Sequence, residues 1–241
     1  MDDSEYLAAL ARDGAALLDA SEAAGMDAEV VACPGWTVAD LVWHIAEVYY
    51  FWRTMVGEQR TTWEGYEPPL RPADGDVISF ARSELTAAIE LLTATDPTQA
   101  NWTWTNDHTA GWVIRRMAHE TAVHRWDAEQ AAGRDTPIDA ALASDGIDEF
   151  LTWFIGDPLP DAELVAGSVH IHCGDIAGEW TLRPIATGFD LTREHAKGDC
   201  AIRGGASDIL LALWRRQPLS RVDVVGDTEL AARFIARPSL A

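Results

Sequence analysis

The spacing of apolar residues over the first two thirds of the chain predicts helices. Apolar side chains recur every three or four residues, which places them on one face of a helix with 3.6 residues per turn. Clusters of Gly, Pro and Asp separate these segments and indicate turns. The predicted helices cover residues 3–24, 38–56, 77–95, 112–132 and 138–155. Short-to-medium connections join the first four helices, which favours an antiparallel bundle.

The start of the second predicted helix carries a capping pattern. Pro34 and Gly35 indicate a turn, and Thr37 follows as a good N-cap residue. Asp40 stands three residues later, in the capping-box position, although Glu or Gln is the usual partner there. The helix has a wide apolar face, and His44 lies within that face.

Beyond residue 158 apolar and polar residues alternate, which is typical of strands with one buried face. The predicted strands cover residues 168–173, 179–183, 186–192, 199–203 and 222–225. Short helices are predicted at 206–214 and 228–236. We therefore expect an α+β protein. A helical domain would cover residues 1–156, with the fifth helix as a linker, and a small α+β domain with an antiparallel sheet would cover 157–241.

Composition and charge restrict the class of protein. The formal net charge of -21 argues against nucleic acid and anionic membranes as partners, because binding phosphate groups requires a positively charged surface. No segment approaches the roughly 18 uncharged apolar residues of a membrane span. The acidic N-terminus does not resemble a signal peptide. Cys33, Cys173 and Cys200 are far apart in the chain, so we expect reduced thiols in a cytoplasmic protein.

The fourth predicted helix carries polar residues on its apolar face. At about 100° per residue, Glu120, His124 and Asp127 share one narrow stripe with three apolar residues. Glu120 and His124 are four residues apart and therefore lie one turn above the other. His119 points roughly 100° or more away from this stripe, and we expect it to serve helix packing.

Glu120 and His124 have the chemistry of zinc ligands. A catalytic zinc usually takes three protein ligands and leaves one position for water or substrate. His44 would be the third ligand if the second and fourth helices are neighbours. Asp127 would then orient the imidazole of His124 or bind the metal itself.

The stripe also has an interpretation without a metal. A buried carboxylate such as Glu120 needs a partner, because its desolvation is costly. Arg115, Arg116 or Arg125 would provide that partner in a buried ion pair. His124 would then be an ordinary hydrogen-bonded histidine.

Two other places are weaker candidates. His170 and His172 alternate with Ile171, so they share one face of a strand and are possible metal ligands, although histidines at this spacing often form a solvated face. Arg203 precedes two glycines and a predicted helix, a pattern that suits an anion site at a helix N-terminus. A surface arginine in a strand-to-helix turn fits this pattern equally well.

Three segments resemble one known family. CPGWTVADLVWHIAEV (residues 33–48), HETAVHRWD (119–127) and IRGGASDILLALW (202–214) look like the mycothiol-dependent maleylpyruvate isomerase family of actinobacteria. The resemblance implies a DinB-like, metal-binding four-helix bundle over about residues 4–135. It also implies a small C-terminal α/β domain similar to sterol-carrier-protein folds.

The resemblance implies a set of site residues and cofactors. His44, Glu120 and His124 would be the metal ligands, zinc the metal, and mycothiol, a sugar-linked cysteine thiol, the second cofactor. Arg203 would correspond to the arginine that the family carries near its active site, and would bind the carboxylate of the substrate. The partners would be this small thiol and a small acidic or electrophilic substrate, in a monomer or a homodimer.

The implied chemistry leaves more than one activity open. A thiolate that adds to a conjugated cis double bond allows rotation, and its elimination leaves the trans isomer. The same thiolate attacking other electrophiles would make the protein an S-transferase. Two alternatives belong to other classes: a non-catalytic protein that binds a small apolar ligand, and a metal hydrolase that uses zinc-bound water.

Overall fold

The structure is a computed structural model that describes residues 1–156, 165–186 and 188–239. Its internal contacts divide the chain into two compact units, residues 1–136 and 137–241. The first unit is helical and the second contains a sheet with flanking helices, which confirms the predicted α+β class. Among the described residues, no helix is both long enough and apolar enough to span a membrane.

Four long helices build the first unit, and each begins and ends within two residues of its predicted bounds. They are α1 (Asp3–Ala24), α2 (Val38–Gly57), α3 (Val77–Ala94) and α4 (Ala110–Ala131). Helix α1 packs on α4 and α3, whereas α2 packs on α3 and α4. The two helices with candidate ligands, α2 and α4, are therefore in contact.

The N-terminus of α2 is held by the predicted capping box. The hydroxyl of Thr37 accepts a hydrogen bond from the backbone N–H of Asp40 at 3.4 Å. The carboxylate of Asp40 accepts one from the backbone N–H of Thr37 at 2.9 Å. Two N–H groups that lack helical partners are thereby satisfied, and the shorter Asp side chain replaces the usual Glu.

Helix α4 is buried on nearly all sides, although many of its residues are polar. Such burial is costly unless each polar group finds a partner inside the protein. Arg125 donates to Glu129 at 2.7 Å, and the hydroxyls of Tyr49 and Thr121 lie 2.9 Å apart. Helix α4 thus carries several polar side chains into the interior of the first unit, where they find partners.

The described residues of the second unit form three α-helices and a five-stranded sheet in the order β3-β2-β1-β4-β5. The helices are α5 (Ala140–Trp153), α6 (Ala206–Leu213) and α7 (Thr228–Ala236). The strands are β1 (Val169–Cys173), β2 (Glu179–Ile185), β3 (Gly188–Thr192), β4 (Cys200–Gly204) and β5 (Asp223–Gly226). All five predicted strands are present, although residue 187, in the strand predicted at 186–192, lies outside the described residues.

The prediction of a wholly antiparallel sheet is wrong. Strands β1, β2 and β3 are antiparallel neighbours, but the chain then passes from β3 at the edge to β4 beside β1. Strand β4 therefore runs parallel to β1, and β5 pairs antiparallel with β4. Alternation of residue types identifies strands but not their order, which depends on the path of the connection.

The boundary between the units falls between Thr136 and Pro137 rather than after residue 156. Helix α5 belongs to the second unit because it packs on α6. Its Ser144 hydroxyl donates to the carbonyl of Ala177 at 2.9 Å, and its Asp148 accepts from the indole of Trp180 at 2.9 Å. The predicted role of this helix as a linker within the first domain is thus corrected.

The sheet has one apolar and one polar face at β1. Ile171 points to the apolar face, and alternation places His170 and His172 on the other. Glu179 on β2 and Arg203 on β4 are both register partners of His172. Because register partners point to the same side of a sheet, this face collects three kinds of polar side chain.

Candidate metal centre

The first candidate site joins α2 to α4. The Nε2 atom of His44 lies 3.1 Å from Oε1 of Glu120, and Nε2 of His124 lies 3.2 Å from the same oxygen. One ligand atom from each residue lies within 4.8 Å of the other two. The structure thus brings together the three side chains that the sequence singled out as ligands.

The donor atoms fit an ion the size of zinc. Zinc bonds to imidazole nitrogen and carboxylate oxygen of about 2.0–2.2 Å imply separations of about 3.3 Å between ligands in a tetrahedral site. The observed separations of 3.1 and 3.2 Å are close to this value. Two imidazoles and one carboxylate also form a donor set typical of catalytic zinc.

Asp127 orients His124. Its Oδ2 atom lies 2.9 Å from Nδ1 of His124, one turn along α4. This contact leaves Nε2 of His124 facing Glu120. Of the two roles considered for Asp127, the hydrogen-bonded supporting role is the one that this geometry favours.

Glu120 also makes the ion pair that the alternative interpretation expected. The guanidinium of Arg116 contacts Oε2 of Glu120, so that Oε1 faces the two histidines. Burial alone would raise the pKa of Glu120, but Arg116 and His124 outweigh it and hold that pKa well below its ordinary value. Burial disfavours the charged form of His124, but Glu120 and Asp127 raise its pKa above the ordinary value.

The segment before α2 adds two residues that the sequence analysis did not assign to the site. The Trp36 ring lies against His44, with 5.1 Å between ring centroids. The thiol of Cys33 lies 3.9 Å from Oδ2 of Asp127. The signal for both was their place immediately before the capping box of α2, but Cys33 was grouped with the scattered cysteines instead.

The site is more open at His44 than at His124. The His44 side chain is 34% exposed, whereas that of His124 is 8% exposed.

His119 is buried elsewhere and meets the edge of the Tyr6 ring at 5.9 Å. Its predicted role in helix packing, between α4 and α1, is thus confirmed.

At the start of α6, where the sequence pattern suggested an anion site, one backbone N–H group already has a partner. The backbone N–H of Ala206 donates to Oδ1 of Asp175 at 2.9 Å. A carboxylate of the chain itself therefore lies where an anion would bind. Arg203 is half-exposed and pairs with Asp223 at 2.7 Å, so its proposed role must rest on the guanidinium alone.

The spacing of His170 and His172 suggested a solvated face, but only His172 is partly exposed and His170 is buried. His170 is 6% exposed, and both residues lie beside Glu179. Burial lowers the pKa of His170 below its ordinary value, with smaller contributions from His195, His172 and Arg203, against the opposing charge of Glu179.

The two units define the class of protein: a helical domain with a His-Glu-His donor set, followed by a domain built on a mixed five-stranded sheet. Residues 7–129 match the mycothiol maleylpyruvate isomerase N-terminal domain, and residues 141–233 match the MDMPI C-terminal domain. The chain belongs to the mycothiol maleylpyruvate isomerase family, which confirms the resemblance seen in the sequence.

Two solved structures are similar to the whole chain. One is a crystal structure of the mycothiol-dependent maleylpyruvate isomerase, with a TM-score of 0.65, 13% identity and 95% of each chain covered. The other is a histidine-to-alanine mutant described under the same name, with a TM-score of 0.63, 12% identity and 95% coverage of each chain. Comparison with curated proteins found no match. At this identity the structural similarity shows a shared fold.

Proposed function

We propose that the protein is a zinc- and mycothiol-dependent enzyme that isomerises a small conjugated cis dioxo acid of the maleylpyruvate type. The observation that carries this proposal is the convergence of His44 and His124 on one oxygen of Glu120, in a chain of this family. The cofactor and the substrate class follow from the names of the family and of the similar structures. A cytoplasmic location is part of the proposal, because the mycothiol thiol must stay reduced to act as a nucleophile.

In this proposal His44, Glu120 and His124 hold the metal. Bound zinc would lower the pKa of a coordinated thiol, so that mycothiol would be a thiolate at neutral pH. Asp127 keeps Nε2 of His124 directed inward, and Arg116 holds the carboxylate of Glu120. The exposed side of His44 leaves room for the thiol and the substrate.

The decisive experiment measures metal content and mycothiol-dependent isomerisation of maleylpyruvate together. We expect about one zinc per chain at this centre. His44→Ala, Glu120→Gln and His124→Ala should each lose this zinc together with the activity. His108→Ala, an exposed histidine on the loop before α4, is the matched control and should keep both.

Other outcomes would contradict particular parts of the proposal. Chains that take up no metal at His44, Glu120 and His124 after reconstitution would refute the metal centre. Hydrolysis of a substrate without added thiol would point to a hydrolase with metal-bound water. Accumulation of a stable thiol adduct would show an S-transferase rather than an isomerase.

Arg203 is proposed to bind the carboxylate of the substrate. Its guanidinium already pairs with a carboxylate, that of Asp223, at an exposed position where the partner can be exchanged. Charge-assisted hydrogen bonds of this kind contribute about 1.5–3 kcal/mol, so Arg203→Ala should raise KM roughly 10- to 100-fold. Arg203→Lys should recover part of this loss, because it keeps the charge but not the bidentate geometry. An unchanged KM in Arg203→Ala would remove the residue from the site.

A further inference from the structure

A second cluster of metal-binding side chains lies on the polar face of the sheet. His170 and His172 come from β1, and Glu179 comes from the start of β2, opposite His172 in the register. His195 belongs to the connection between β3 and β4. Three separate segments of the second unit thus bring imidazole and carboxylate groups to one place.

The imidazole nitrogens converge on a single oxygen. Oε1 of Glu179 contacts Nδ1 of His172, lies 3.0 Å from Nδ1 of His195, and lies 3.9 Å from Nε2 of His170. One ligand atom each from His170, His172 and Glu179 lies within 4.8 Å of the other two. The ring centroids of His170 and His195 are 5.1 Å apart, so His195 borders the same space.

One nitrogen in the cluster is buried without a hydrogen bond. Among the residues that the structure describes, Nε2 of His170 finds no hydrogen-bond partner, and the side chain is only 7% exposed. A buried polar atom without a partner is costly and rare in folded proteins. Oε1 of Glu179 lies 3.9 Å from this nitrogen, which is too long for a hydrogen bond.

We propose that His170, His172 and Glu179 form a second metal site, which binds a divalent first-row transition ion and which His195 completes as a fourth ligand. Imidazole and carboxylate donors suit zinc and its neighbours rather than magnesium or calcium, which prefer oxygen ligands. Four protein ligands make a closed, structural centre, in contrast to the three-ligand centre between α2 and α4.

A bound ion accounts for the unpartnered nitrogen better than the hydrogen-bonded cluster does. Ligands of a tetrahedral zinc lie about 3.3 Å apart, and the distances from Glu179 to His195 and His170 bracket this value. The ion would thus satisfy Nε2 of His170 with only small side-chain movements. Arg203 lies on the same face, but its charge is directed to Asp223.

The test uses the full chain with the first centre disabled. In His44→Ala/Glu120→Gln, we expect about one zinc per chain by elemental analysis, and a cobalt spectrum typical of tetrahedral nitrogen and oxygen ligands. Adding His172→Ala should weaken zinc binding at least about 100-fold in competition with a chromophoric chelator, because a central ligand is lost. Adding His195→Ala should weaken it less, because the His195 side chain is 75% exposed and loses conformational freedom when it binds the ion.

The controls separate this site from the proposed catalytic centre. Glu194→Gln is the matched control for Glu179→Gln, because it neutralises an exposed carboxylate next to His195. It should leave zinc binding unchanged, whereas Glu179→Gln should abolish it. Circular dichroism of each variant verifies that loss of zinc is not loss of fold.

The zinc content of each variant either supports or refutes the second site. Zinc that persists in His44→Ala/Glu120→Gln and disappears with His172→Ala supports the second site, whether or not the first centre binds metal. A folded His44→Ala/Glu120→Gln chain that takes up no zinc or cobalt refutes the second site and leaves the proposed isomerase centre standing.

Discussion

The two histidine clusters use the same donor groups but differ in how these groups are held. In the helical cluster, His124 is fixed by Asp127, and Glu120 is fixed by Arg116. In the strand cluster, Glu179 alone receives the surrounding imidazoles. Partners behind each ligand fix the geometry before a metal binds. The helical cluster is thus organised by its own charges, whereas the strand cluster includes a buried nitrogen, Nε2 of His170, that an additional partner would satisfy.

The two clusters also differ in how deeply their charged side chains are buried. The Glu120 side chain is 15% exposed and that of its partner Arg116 is 9% exposed. Glu179 is more exposed, and His195 lies at the surface. Loss of the carboxylate should therefore affect the two units very differently.

The largest expected effect separates the clusters by stability. Removing one partner of a buried pair leaves an uncompensated charge, so Glu120→Gln should lower the free energy of unfolding by about 3–5 kcal/mol in the metal-free protein. Glu179→Gln should cost clearly less, since its partners are close to solvent. Urea unfolding of both variants after chelation measures the difference. Equal losses would show that the helical cluster is not organised by charge.

A smaller effect should appear in metal affinity. Asp127→Asn removes the carboxylate behind His124, which should weaken metal binding at the helical centre roughly 10- to 100-fold. Competition with a chelator measures this in a chain that also carries His172→Ala, so that only one centre is observed. Asp19→Asn, an exposed carboxylate on α1, is the control. An unchanged affinity would mean that packing alone orients His124.

The smallest effect concerns the helix that carries His44. The backbone N–H of Thr37, together with Arg71 and the Thr37 hydroxyl, lowers the pKa of Asp40 to about 2, from an ordinary 3.8. Because the folded pKa lies below the unfolded one, the stabilisation is present above about pH 4 and is lost as the pH falls towards 2.

Replacing Asp40 should remove this pH dependence. Asp40→Asn should cost about 1 kcal/mol at neutral pH and make stability less sensitive to pH between about 4 and 2. Unfolding of both chains over this range gives the measurement, and zinc binding at the strand cluster should not change. Parallel pH profiles for the two chains would show that the capping box does not hold α2.

Local patterns were sufficient for the elements and for part of the helical cluster. The period of 3.6 residues placed Glu120, His124 and Asp127 on one side of α4, because they lie within two turns of one another. Thr37 and Asp40 were recognisable as a capping box because the hydrogen bonds span three residues. The strands were predicted by the same reasoning, from alternation within each segment.

Tertiary structure decided every contact between distant segments. The distance between His44 and Glu120 depends on how α2 packs on α4, and sequence spacing only made that contact conditional. Cys33 reaches Asp127 across a separation of 94 residues. Periodicity along one segment carries no information about which other segment will face it.

The strand cluster shows most clearly the difference between local spacing and contacts made by distant segments. Local spacing was enough to place His170 and His172 on one face, because side chains alternate along a strand. The burial of His170 and the approach of Glu179 and His195 became visible only in the folded chain. The register of β1 with β2 and the path after β3 set these contacts, since both depend on packing of the whole sheet rather than on any local spacing.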